Sequence, residues 1–224
     1  MKKVYIWNDL PLIYENTNIN LIEKKLFDLK EFINNNSECK LEILKFDITN
    51  NFQKEINNKE NIVSIGKRPL KLIKKENYNI YSKRIIDNNG FAYDCEIIPD
   101  EKIYSLSKIN IVEDIIVSGT TMKKTIEKLK ENNSKQIINI YFLLGYRNVI
   151  EEIDKISNVN CYCFNVLEEI SKKESTCIFL SDLLFEYLTN VTYLEHVKNS
   201  NIFGNATNYF ITKTQEIKDM IKWK

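Results

Sequence analysis

Apolar and polar positions alternate along this chain with two different periods, and the switches between them predict its elements. Val4–Trp7 is a short apolar run of strand type. Asn18 then stands where a helix cap is expected, ahead of Ile22, Leu26, Leu29 and Ile33, whose steps of four, three and four mark one helical face. Leu41–Phe46 and Ile62–Ile65 read as strands, the second continuing into Gly66-Lys67-Arg68-Pro69. Extended runs at Tyr78–Ile86 and Phe91–Ile98 flank Asp87-Asn88-Asn89-Gly90, and an Asn-Gly pair in such a place predicts a hairpin.

Further along, Ile109–Val112 is a strand of the fully buried type, followed by a helix with Met122, Ile126 and Leu129 on one face. Ile137–Leu144 is a long apolar strand, and Val149, Ile153 and Ile156 share the face of the next helix. Strands follow at Cys161–Val166 and Thr176–Leu180, then helical patterns from Ser181 through Leu184, Leu188 and Val191 and from Thr212 to Trp223. Strand–helix alternation of this kind predicts an α/β fold: a mainly parallel twisted sheet flanked by helices, with an antiparallel hairpin insertion and a helical C-terminal extension. The expected division is one α/β domain over 1–180, with the hairpin at about 78–107, and a helical extension over 181–224 packed on the same domain.

Composition narrows the function classes. Among 224 residues, Lys+Arg 32 against Asp+Glu 31 leaves a net charge of +1, which argues against general nucleic-acid binding. A hydrophobic share of 43% excludes a mainly disordered chain. The apolar stretch after Lys2-Lys3 stops at Asn8-Asp9, too short for a signal peptide, and no run approaches the ~18 apolar residues of a membrane span. A cytoplasmic protein with no membrane partner is expected. The odd set Cys39, Cys95, Cys161, Cys163 and Cys177 does not resemble a disulfide framework and points to a reducing compartment. Cys161 and Cys163 read as small hydrophobes on one strand face, since the single histidine, His196, cannot complete a metal site with them. His196 itself reads as a surface or core histidine rather than a general base, and Tyr187, Tyr193, Phe203, Tyr209 and Phe210 read as core packing rather than the lining of an acceptor pocket or a dimer contact. Runs rich in Asn and Lys read as solvated filler.

One segment carries chemistry: Ile109-Asn110-Ile111-Val112-Glu113-Asp114-Ile115-Ile116-Val117-Ser118-Gly119-Thr120-Thr121-Met122. An apolar strand delivers two adjacent carboxylates to its carboxyl end, where open α/β sheets bind ligands. The Ser-Gly-Thr-Thr turn then opens a helix, whose unpaired N–H groups, positive dipole end and hydroxyls form an anion cradle. Gly119 lets the backbone approach a phosphate closely. Carboxylates beside such a cradle would repel a phosphate unless they faced sugar hydroxyls or a Mg²⁺ ion. A phosphorylated sugar satisfies both halves.

This segment resembles the motif with which type I phosphoribosyltransferases bind 5-phosphoribosyl 1-diphosphate (PRPP). The pattern is an apolar strand, an acidic pair, two apolar residues, two small or polar residues, then Gly and a hydroxyl residue. Asn110 is the one departure, standing where an apolar residue is usual. The resemblance implies that Glu113 and Asp114 hold the ribose hydroxyls as the catalytic pair, and that Val117, Ser118, Gly119, Thr120 and Thr121 surround the 5′-phosphate. It also implies a diphosphate loop at Ser64, Gly66, Lys67 and Arg68, where two cations suit a diphosphate. Mg²⁺ would be held mainly through PRPP, with no protein metal ligand, and homodimerisation is expected. The hairpin lies where the family carries a closing loop, with Tyr81, Ser82 and Lys83 as candidate contacts. The likeness covers roughly residues 60–170.

The wording Glu113-Asp114-Ile115-Ile116 is closest to the 6-oxopurine branch of that family, which carries an aspartate where this chain has Val117. Its base-contacting lysine is also missing after the next strand, with Tyr146 nearest. The implied activity is therefore transfer of phosphoribose from PRPP to a nucleobase-like nitrogen acceptor with release of diphosphate. The alternative is a non-catalytic protein of the same fold that binds PRPP or a nucleotide as a regulator or effector.

Overall fold

The structure is a computed structural model, and it describes residues 2–8, 10, 18–44, 51–65, 78–86, 92–167, 175–184, 197–198 and 201–221. In chain order the elements are β1 (Lys2–Trp7), α1 (Ile19–Asn36), β2 (Cys39–Leu44), α2 (Asn51–Asn57), β3 (Ile62–Ile65), β4 (Tyr78–Ile86) and β5 (Ala92–Pro99). After a 3₁₀ turn at Glu101–Ser105 come β6 (Lys108–Ile116), α3 (Thr120–Asn132), β7 (Ile137–Tyr146), α4 (Arg147–Asp154) and β8 (Val159–Leu167). The chain closes with β9 (Ser175–Phe179), α5 (Leu180–Leu184) and α6 (Thr207–Met220). No helix among the described residues is long and apolar enough to cross a membrane.

Two compact units result: Met1–Phe46 with Ile170–Lys224, and Asp47–Glu169. In the first unit, β1 lies between β2 and β9, parallel to both. The predicted face of α1 is buried at Ile22, Leu26, Leu29 and Ile33, and it packs with Val4, Ile6 and Leu41 of this small sheet. Asn18 caps that helix as expected, its side chain accepting the N–H of Leu21 at 3.3 Å. Phe203 and Phe210 stack in the same core with centroids 4.4 Å apart, and Tyr209 stacks on Phe32.

The second unit is a six-stranded sheet in the order β5-β4-β3-β6-β7-β8. Every pairing is parallel except β4 with β5, the predicted antiparallel hairpin. The sheet is therefore mixed, mostly parallel and flanked by helices. Ile109 and Ile111 of β6 and Ile138, Ile140 and Phe142 of β7 form one face with Met122, Ile126 and Leu129 of α3 and Val149 and Ile153 of α4. On the opposite face Phe52 of α2 meets Phe164 of β8 edge to face at 5.0 Å, and Lys59 lies over the ring of Tyr141. With helices on both sides, β6 and β7 are buried on both faces, which is why they read as unbroken apolar runs.

Candidate functional site

The acidic pair lies inside a strand. β6 extends to Ile116, four residues past its apolar run, because β7 pairs with it in register through Glu113↔Phe142, Ile115↔Leu144 and Ile116↔Gly145. Glu113 and Asp114 are consecutive and half-buried, and they stand at the carboxyl end of a central strand. The Asp114 carboxylate accepts the N–H of Ile115 at 2.7 Å.

Val117 and Ser118 then lead to Gly119, whose φ of 72° is left-handed, and α3 begins at Thr120. Two constraints demand glycine here. A Cβ at this backbone angle is disfavoured, and it would lie 2.8 Å from Val149 Cγ1 of α4. The sequence reading assigned Gly119 to ligand approach; the structure shows that close packing of α3 on α4 already requires it. An ion pair between Lys123 and Glu152 at 2.6 Å ties the same two helices together.

Lys123 N–H donates to Gly119 O at 2.8 Å, so the amides of Thr121 and Met122 precede the first bond of the helical ladder. Ser118 Oγ accepts the N–H of Thr120 at 3.3 Å and shares a hydrogen bond with Thr120 Oγ1 at 3.0 Å. The first of these exceeds the usual 2.7–3.2 Å range, so it is weak enough for a better acceptor to displace. Ser118, Thr120 and Thr121 are half-buried, and Val117 is 38% exposed. The turn brings three hydroxyls and the open end of a thirteen-residue helix together, immediately after the two carboxylates.

Ser64 is fully buried on β3, its Oγ bonded to Asn79 Oδ1 at 2.6 Å, so its hydroxyl serves the β3–β4 pair. Gly66, Lys67 and Arg68 lie outside the described residues, as do His196, Tyr187 and Tyr193. Tyr81, Ser82 and Lys83 stand on β4 paired with Ile98, Ile97 and Glu96, and Tyr81 is 67% exposed. Tyr146 is buried at the end of β7. Cys161 and Cys163 do share a face and pack against the sheet core. Burial pushes their thiols up to about 12 and about 11, so neither is a ready nucleophile. Among the described residues no three His, Cys, Asp or Glu side chains converge on a metal position. An acidic pair without a protein cage suits Mg²⁺ only in the form that keeps waters and ligand oxygens as its other donors.

The asparagine that interrupts the apolar strand at Asn110 belongs to a row. Asn110, Asn139 and Asn160 occupy one row across β6, β7 and β8. The signal was visible as a repeated phrase, an asparagine after the first apolar residue in Ile109-Asn110-Ile111, Ile138-Asn139-Ile140 and Val159-Asn160-Cys161.

No protein-family profile and no curated protein matches this sequence. Among solved structures, AQ2163 protein from Aquifex aeolicus is 14% identical over 52% of this chain, with a TM-score of 0.38, and the match spans only 60% of that protein. A hypothetical protein from Neisseria gonorrhoeae with bound ppGpp is 12% identical, covering 90% of this chain and 97% of that one, at a TM-score of 0.38. A hypoxanthine phosphoribosyltransferase from Staphylococcus aureus is 16% identical, covering 68% and 83%, at 0.36. Likenesses this distant leave function to be read from the site.

Proposed function

We propose that the carboxyl end of β6 and the start of α3 bind PRPP, and that the protein transfers its phosphoribosyl group to a nucleobase-like nitrogen acceptor. The observation that carries this reading is the direct succession of two half-buried carboxylates, a left-handed glycine turn and a helix N-terminus bearing three hydroxyls. Glu113 and Asp114 accept hydrogen bonds from the two ribose hydroxyls, fixing the sugar. The 5′-phosphate takes the amides of Thr121 and Met122 and the hydroxyls of Ser118, Thr120 and Thr121, displacing the long Thr120–Ser118 bond. Gly66, Lys67 and Arg68 follow β3, the neighbour of β6 in the sheet, and in this reading they receive the diphosphate. Bound Mg²⁺ would neutralise charge on the diphosphate oxygens.

In the transfer, the bond from the anomeric carbon to the diphosphate oxygen breaks and a bond from that carbon to the acceptor nitrogen forms. The sugar passes through oxocarbenium character, which two adjacent carboxylates stabilise electrostatically. The acceptor nitrogen loses its proton, and Val117, at the turn, cannot take it. This suits an acceptor acidic enough to lose that proton to water. It equally favours a second reading, a sensor that binds PRPP or a nucleotide without turnover. A cytoplasmic location and a homodimer belong to the same proposal.

Calorimetry with PRPP and Mg²⁺ tests binding, and diphosphate release over a panel of purine, pyrimidine and other nitrogen acceptors tests transfer. Release with any acceptor supports the enzyme. Binding with no release leaves the sensor. Absence of binding by PRPP and by every nucleoside monophosphate sinks both. Val117→Asp restores a proton acceptor at the turn, so hypoxanthine or guanine turnover gained by that variant alone would show that the missing acid is what silences purine transfer.

A further inference from the structure

β6 and β7 are poor at specifying their own alignment. Both are apolar on both faces: Ile109 and Ile111 face α3 and α4, Val112 is fully buried on the other side, and β7 repeats the pattern with Ile138, Ile140, Tyr141 and Phe142. In a sheet with one polar face, a slip of one residue exposes apolar side chains and is penalised at once. Here a slip of two residues keeps every side chain on its own face and sets apolar against apolar almost everywhere. Such a slip would move the acidic pair along the sheet by about 6.6 Å, at about 3.3 Å per residue. That is farther than a bound sugar tolerates.

What distinguishes the native alignment is a row of three asparagines. Asn110 stands opposite Asn139, and Asn139 opposite Asn160. Asn160 Nδ2 donates to Asn139 Oδ1 at 2.9 Å, Asn139 Nδ2 donates to Asn110 Oδ1 at 3.0 Å, and Asn110 Nδ2 donates to the carbonyl of Glu60 at 2.6 Å. All donors run one way, from β8 through β7 and β6 to the residues just before β3. The backbone reinforces that last step, with Asn110 N–H on Asn61 O at 3.0 Å and Asn61 Nδ2 on Lys108 O at 3.0 Å. Asn110 and Asn139 are only 5% and 6% exposed, so a slip that sets either against an apolar neighbour strands its amide away from water.

We infer that the Asn110–Asn139–Asn160 ladder is a register lock that positions Glu113, Asp114 and the Ser118–Thr121 turn. It works as a single buried asparagine does in a coiled coil, specifying alignment rather than adding stability. Asn110 and Asn139 are positioning residues: Asn110 stands three residues before Glu113, the first proposed ligand contact on β6, and Asn139 is its register partner on β7. The functional half of this inference rests on the phosphoribosyl-binding reading; the alignment half does not.

The test compares Asn139→Val with the triple variant Asn110→Val, Asn139→Val and Asn160→Val. The single variant leaves Asn110 Oδ1 and Asn160 Nδ2 without their partner and is expected to unfold at lower denaturant. The triple variant removes the whole row and is expected to be as stable as the native protein or more so. Its amide NMR spectrum is expected to show more than one set of signals for residues 108–118, and its affinity for PRPP with Mg²⁺ to fall at least tenfold. A merely structural ladder would move stability without splitting signals. A triple variant with one set of signals and native affinity overturns the lock. On the native protein, side-chain amides of Asn110 and Asn139 that exchange with solvent as fast as exposed asparagines also overturn it, and this arm needs no variant to fold. If the native protein binds no phosphosugar, the functional reading fails while the spectra still decide the lock.

Discussion

Two strand–helix joints lie side by side in the larger unit, and only one of them has the makings of a site. β6 leads through a short turn into α3, and β7 leads into α4, with Ile116 and Gly145 in register at their ends. At the end of β7, Leu143, Leu144, Gly145 and Tyr146 are all buried, and α4 begins at the very next residue. At the end of β6, two carboxylates and three hydroxyls are half-buried, and three residues separate strand from helix. Position at the carboxyl edge of a parallel sheet is therefore an opportunity and no more. One joint uses it for polar groups and the other for packing. Each also serves its neighbour through a glycine: Gly119 admits Val149 of α4, and Gly145 admits Ile116 of β6.

The largest way to break this contrast is at those glycines. Gly119→Val puts a branched side chain at φ 72° and within 2.8 Å of Val149. Left-handed strain and overpacking together amount to about 2–5 kcal/mol, read from urea unfolding, with loss of PRPP binding. Gly145→Ala meets Ile116 Cγ2 at 2.5 Å. It is expected to lower stability by about 1–3 kcal/mol yet hold PRPP affinity within a few-fold, because it adds strain beside the site without removing a group from it. A reversed pair of results would assign the site to the other joint.

Smaller substitutions sharpen the contrast. Asp114→Asn keeps an acceptor for the Ile115 N–H and removes only the charge. Its expected signature is a loss of PRPP affinity of about tenfold or more, with unfolding unchanged to within about 0.5 kcal/mol. Thr120→Val removes one phosphate donor and the Ser118–Thr120 hydroxyl bond, and about a fivefold loss of affinity is expected by calorimetry. Unaltered affinity in both variants would leave the turn a helix start and nothing else.

Local features were legible in the sequence where local physics decides them. The buried stripe of α1, the hairpin pairing of β4 with β5 and the turn ahead of α3 all follow from spacing and turn chemistry within a few residues. Non-local pairing was not legible. Nothing in Val4–Trp7 announces parallel partners near residues 41 and 177, so the union of the two chain ends in one unit could not be read from periodicity. The extension of β6 through Glu113 and Asp114 comes from the length of β7 beside it. The helix expected to reach Ile156 stops at Asp154, ahead of Asn158 at φ 59°, a left-handed turn that apolar spacing does not report. Asn110 looked like a defect in an apolar strand, and only its cross-strand partners show what it does.

The smallest expected effect tests how the hairpin is joined to the helix behind the site. Lys124 of α3 forms an ion pair with Asp94 of β5. The Lys124 ammonium, and then the Cys95 N–H, hold the Asp94 carboxyl below its ordinary range, while Asp94 raises Lys124. A lowered carboxyl stabilises the fold above its unfolded value and loses that contribution as pH falls through the folded one. A raised amine contributes below its own unfolded value and loses it as pH rises through the folded one. Lys124→Met should thus lower the melting temperature slightly at pH 7. The deficit should persist to about pH 4, close below the ordinary aspartate value of about 3.9, and shrink in high salt. A deficit that survives at pH 2 would mean that the lysine acts through its apolar stem, which methionine imperfectly replaces, and not through its charge.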